Sequence, residues 1–192
     1  MGAAHIADLE ERPGLPRLYV GMLMFLLSET FLFGNLFWTY FYLRAKSPIW
    51  PPQGVVLELP LIAVNTVILL SSSVTMQLAI NRAGRGNRKG MVNTLIVTML
   101  LGAIFLTVKG WEWTQVDFRP WDHAYGSIFY TLTGFHGLHV LAGIGIMGAL
   151  LVRTLRLRES SLAPLPVEVG GLYWHFVDLI WIFVFTSLYI IR

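Results

Sequence analysis

Three short strings concentrate the ionisable chemistry of this chain: Ser28-Glu29-Thr30, Thr-Gly-Phe-His-Gly-Leu-His at 133–139, and Trp-His-Phe-Val-Asp at 174–178. Carboxylates and imidazoles together can pass protons, pair as ions or hold a metal. Their surroundings decide which. Each string lies in an apolar run long enough to cross a bilayer, where a lone ionised side chain costs at least about 2.5 to 3.5 kcal/mol. Such a group must be neutral or paired, so its presence asks for a reason.

Those runs define the architecture. The chain has 192 residues, 55% hydrophobic and only 13% charged. About twenty apolar residues make one spanning helix, and five runs qualify, at 18–43, 57–80, 92–111, 126–152 and 172–191. The expectation is an all-α integral membrane protein: a tail at 1–17, then a single five-helix membrane domain at 18–192. The tail carries Asp8, Glu10, Glu11 and Arg12 and lacks the apolar core of a cleaved signal. Two connecting segments and the tail hold nine cations: Arg12, Arg17, Arg82, Arg85, Arg88, Lys89, Arg153, Arg156 and Arg158. The opposite side holds five, Arg44, Lys46, Lys109, Arg119 and Arg192. That bias places the amino terminus in the cytoplasm and the carboxyl terminus outside. Trp38, Tyr40, Tyr42, Trp50, Trp111, Trp113 and Trp121 gather toward the outer interface, and Pro48, Pro51 and Pro52 stop the first helix.

Helix arithmetic then places the ionisable groups. Glu29 falls about 16 Å deep from one end of the first span, and His139 about 20 Å from the inner end of the fourth, so the two can meet. Glu29 reads either as a proton-handling carboxylate or as a protonated acid hydrogen-bonding between helices. His136 and His139, three apart on neighbouring positions of one face, read as part of the same chemistry or as packed histidines. Gly134, Gly137, Ala142, Gly143, Gly145 and Gly148 remove bulk beside them and invite another backbone to approach. His175 and Asp178, also three apart, suggest a pair on one face, as a proton wire or a structural contact. Arg153, Arg156 and Arg158 follow the fourth span as a topology signal or an anionic-lipid site.

The absence of cysteine excludes thiolate metal sites, iron–sulfur clusters and cysteine-linked haem. Bis-histidine haem needs imidazoles at equal depth on facing helices, whereas His139 and His175 differ by roughly 12 Å along the normal. No three ligands converge for copper or zinc. No metal or cofactor is therefore expected in this chain, and a net charge of +3 spread over the loops gives no footprint for nucleic acid.

Taken in order, Ser28-Glu29, Trp50-Pro51-Pro52, Leu-Pro-Leu followed by Asn65, Tyr125-Gly126-Ser127, the string from Gly134 to Val140, and Tyr173 to Asp178 with Trp181 carry a specific likeness. From about residue 18 to 192 the sequence resembles subunit III of the haem-copper terminal oxidases, in particular the cytochrome c oxidase branch. The resemblance implies a subunit without catalytic residues or redox centres that packs against subunits I and II, which hold the haem and copper. It implies that Glu29 lies near bound phospholipid and the proton entry of the catalytic subunit. His139 would belong with that carboxylate, and Arg153 with lipid head groups. The subunit would support proton uptake and protect the catalytic centre during turnover. Longer members have two further amino-terminal spans that wall a lipid-filled cleft, and five-span forms occur in bacteria, so a bacterial inner membrane is the expected location. The alternatives are the equivalent subunit of a quinol oxidase or nitric oxide reductase, or a free-standing membrane cytochrome.

Overall fold

The computed structural model describes residues 16–156 and 164–191. Arg158 and most of the expected tail lie outside them. Five helices follow in order: α1 (Arg17–Lys46), α2 (Leu59–Gly84), α3 (Arg88–Gln115), α4 (Ala124–Arg156) and α5 (Leu165–Phe185), the last running into a π-helical turn at Thr186–Ile190. All five are long and apolar enough to cross a membrane, and no strand occurs among the described residues.

Element types match the sequence reading, and the ends extend it. α3 runs past 111 to Gln115, and α5 begins at Leu165, seven residues before the expected start. The physical reason is at the helix start: Pro164 and Pro166 occupy the N-cap and second position, where their missing N–H groups are harmless, and Glu168 suits the positive end of the helix dipole. α1 stops at Lys46, just before Pro48. The Trp50–Pro51 peptide is cis, and Trp50 turns inward, its ring 5.6 Å from Tyr40 and 5.2 Å from Tyr125.

α5 is the spine. It packs on α4, α2 and α1, while α2 pairs with α3, and α1 leans on α4 and α5, with Tyr40 also donating to the Ser187 carbonyl of the π-helical turn at 2.5 Å. Trp174 and Trp181 of α5 are fully buried, and each indole N–H donates to an α2 hydroxyl: Trp174 to Ser72 at 2.9 Å and Trp181 to Thr66 at 3.0 Å. The expected backbone approach at the α4 glycines takes another form. Gly143 seats the Trp174 ring, since a Cβ there would lie 2.6 Å from it, and Gly134 and Gly137 meet the side chains of Trp113 and Leu106. Small residues admit large side chains here, Trp174 from α5 and Trp113 and Leu106 from α3, where close-packed membrane helices usually supply backbone. α1, by contrast, buries only Leu26, Phe33 and Tyr40, leaving most of its apolar surface uncovered by this chain.

Candidate functional site

The bundle has a basic end, carrying Arg17, Arg82, Arg88 and Arg153, and an opposite end rich in exposed tryptophan. Counting from the basic end, Glu29 is twelve residues into α1 and His139 seventeen from the end of α4. They meet in the α1–α4 seam: His139 Nε2 lies 3.0 Å from Glu29 Oε2. Both side chains are partly covered, 13% exposed for His139 and 15% for Glu29. Phe33 sets its edge against the imidazole at 5.0 Å.

Hydrogen-bond valence restricts what this pair can be. His139 Nδ1 is 2.7 Å from the Phe135 carbonyl oxygen, which only accepts, so Nδ1 carries a proton. The Nε2–Oε2 contact then holds one proton between two atoms. Either the acid donates to a neutral imidazole, or an imidazolium donates to a carboxylate. Both forms are neutral as a pair, which is how a glutamate is tolerated at this depth.

His136 parts company with His139. Three residues on a helix leave a rotation of about 60°, enough to send His139 into the α1 seam and His136 into the core. There His136 is fully buried, 4.8 Å from the Trp181 ring and edge-on to Phe105 at 5.7 Å. Neither of its nitrogens has a protein hydrogen-bond partner. Aromatic rings surround it in place of polar groups.

The expected His175–Asp178 pair does not form. His175 Nδ1 bonds the Ser73 hydroxyl of α2 at 2.7 Å, while both Asp178 carboxyl oxygens are buried without a protein hydrogen bond. Their i,i+3 spacing brings the two side chains to one seam, but α2 offers a closer partner to one of them.

At the basic end, Arg153 and Arg156 line one groove of about 470 Å³ with Gly148, Ala149 and Val152. Arg88 reaches across from α3 and donates to the carbonyls of Thr154, at 2.6 Å, and Leu155, at 3.3 Å, closing the α4 terminus. One cation of the topology pattern is therefore also a helix cap.

Sequence reasoning placed Lys109 among the cations of the opposite side, and the structure corrects this. Lys109 is buried in the bundle, bonded to both Glu112 and Tyr189, with Tyr189 donating to Glu112 Oε1 at 2.7 Å. Its ammonium lies 5.0 to 5.3 Å from the rings of Phe129, Trp181 and Tyr189. The available signal was the i,i+3 spacing of Lys109 and Glu112, which puts opposite charges on one face. Among the described residues, no three histidine or acidic side chains come together as a metal site would need.

Five bilayer-length helices around internal ion pairs and hydrogen-bonded indoles define a multi-pass helical membrane protein. Its sequence matches the family model described as cytochrome c oxidase subunit III over residues 13–192. Among its relatives are the cytochrome c oxidase subunit 3 proteins of Coturnix japonica and Gallus gallus, each 39% identical over 181 residues, covering 90% of this chain and 69% of the relative. That of Emericella nidulans is 40% identical, covering 90% of this chain and 66% of the relative. This chain belongs to the cytochrome c oxidase subunit III family. The three organisms are eukaryotes and lend no support to the expected bacterial location.

Proposed function

We propose that the chain serves as subunit III of a proton-pumping cytochrome c oxidase: a subunit with no redox centre or catalytic residue of its own that braces the catalytic subunit, holds lipid and supports proton uptake. Haem and copper belong to subunits I and II. The observation that carries this reading is the Glu29–His139 pair, a one-proton acid–base contact on the α1–α4 face, beside a helix whose apolar surface is largely uncovered. A proton-sharing pair at the edge of the bundle can exchange with a neighbouring subunit; one sealed in the core cannot. The names of the relatives favour cytochrome c over quinol as electron donor.

The groove formed by Gly148, Ala149, Val152, Arg153 and Arg156 supports the lipid part of the proposal. Glycine and alanine give room for an acyl chain, and two guanidinium groups can share one phosphate. The exposed charge pattern supports the orientation. With Lys109 removed from the count, the basic end has Arg17, Arg82, Arg85, Arg88, Lys89, Arg153 and Arg156 among the described residues, against Arg44, Lys46 and Arg119 at the other. The basic end then faces the cytoplasm, in a bacterial inner membrane, and the carboxyl terminus faces outward.

Purification through a tag on this chain tests the assignment. A haem-copper catalytic subunit and a copper-bearing docking subunit should co-purify. Recovery of the chain alone with a stoichiometric Soret band would make it a membrane cytochrome instead, and a partner set without the docking subunit would move it to a quinol-oxidising complex.

A further inference from the structure

We infer that Tyr173 of α5 is a positioning residue for the Glu29–His139 pair: it holds α1 and α4 at the separation that decides how the pair shares its proton. Tyr173 belongs to neither helix of the pair, yet it touches both beside it. Its hydroxyl donates to the His139 carbonyl oxygen at 3.1 Å. Its ring stacks on Phe25 of α1, with centroids 6.1 Å apart and planes 27° from parallel. Phe25 stands one turn before Glu29, on a neighbouring position of the same helix face. Tyr173 is 2% exposed, so this bracket lies inside the junction of three helices.

α4 is shaped to admit it. In a regular helix the carbonyl of residue 139 already accepts from the N–H of residue 143, and a side chain at 143 stands in the way of a second donor. Residue 143 is glycine, and a Cβ there would crowd Tyr173 Cε1 at 3.2 Å. The phenol therefore reaches a helical carbonyl that a larger residue at 143 would shield.

The pair itself leaves little else to adjust. His139 Nδ1 bonds the Phe135 carbonyl of its own helix, which fixes the imidazole on α4. What remains free is the distance from α4 to α1. Charge-assisted N–H···O contacts run to about 2.7 to 2.9 Å, and Nε2–Oε2 stands just beyond them at 3.0 Å. At that length a small shift of either helix tightens or loosens the bond that holds the shared proton. Tyr173 restrains the shift from both sides. Its effect on proton uptake rests on the function proposed above, whereas its effect on the pair does not.

Infrared difference spectra of the assembled complex test this, with the Glu29 carboxyl band identified by its loss in Glu29→Gln. Tyr173→Phe keeps the ring and removes only the hydroxyl. It should shift the Glu29 band and the pH at which that band titrates, and it should slow proton uptake. Phe25→Leu, at a half-exposed position, removes the α1 side of the bracket and should shift the band too. Tyr40→Phe removes the same kind of bond, to the Ser187 carbonyl, eleven residues from Glu29, and should leave the band in place. A Glu29 band unmoved in Tyr173→Phe, or moved as far by Tyr40→Phe, overturns the positioning role and leaves Tyr173 as a packing contact. A shifted band with wild-type uptake upholds the positioning role and counts against the proton-uptake reading instead. Should Tyr173→Phe fail to assemble, Phe25→Leu decides, and an unmoved band there is the contrary result.

Discussion

Two acid–base clusters in this bundle, one buried and one at its edge, serve opposite ends. Lys109, Glu112 and Tyr189 close a triangle of hydrogen bonds inside the core, with side chains of the ion pair 4% exposed. Glu29 and His139 make one bond across a seam, 15% and 13% exposed. The triangle joins α3 to the π-helical turn and is walled by aromatic rings, so its polar atoms serve one another. The seam pair stays partly exposed on the α1–α4 face, where the second Glu29 oxygen meets only the neighbouring Ser28 hydroxyl, at 3.5 Å. Full burial suits a structural cluster, and a partly exposed pair at an edge suits one that can exchange.

The largest effect follows from opening the triangle. Lys109→Met leaves Glu112 buried without its counter-ion and should cost about 3 to 5 kcal/mol, seen as loss of subunit retention and a lower unfolding temperature in detergent. Lys109→Met with Glu112→Leu should recover most of that, because the unpaired charge is gone. A single variant as stable as wild type would remove the distinction between the two clusters.

Next in size is packing. A Cβ at Gly143 would sit 2.6 Å from the Trp174 ring, itself held by its bond to Ser72, so Gly143→Ala should cost about 1 to 3 kcal/mol. Gly145→Ala, on the same helix with open space around it, is the control and should change little. Equal losses at both positions would assign the effect to the helix and not to the tryptophan seat.

How much of this was legible in the sequence follows the same division. Glu29 and His139 were placed together by counting residues from the ends of two apolar runs, because depth along a membrane helix is a one-dimensional quantity that length fixes. Lys109 was misread because it lies near the end of its run, where a lysine ordinarily reaches the interface. Its burial depends on Tyr189, eighty residues away on another element, which no local pattern reports. His175 and Asp178 were paired on spacing alone, and Ser73 on α2 changed the outcome. The start of α5 was set too late because Glu168 and the prolines read as a loop, although they are the residues that open a helix.

A smaller effect is expected at the basic groove. Each cation near an anionic head group contributes about 1 kcal/mol, so Arg153→Gln with Arg156→Gln should shed retained anionic phospholipid in native mass spectrometry without unfolding the bundle. Faster inactivation during turnover should accompany the loss. Unchanged lipid retention would leave these arginines as orientation signals.

Glu29 and His139 are proposed to act in proton uptake, and the Lys109 triangle to hold the fold. Time-resolved proton uptake by the assembled oxidase, compared between wild type, Glu29→Gln and the Lys109→Met, Glu112→Leu double variant, tests it most directly. Slower uptake in Glu29→Gln, with assembly intact and the double variant matching wild type, is the predicted result. Wild-type uptake in Glu29→Gln would contradict it.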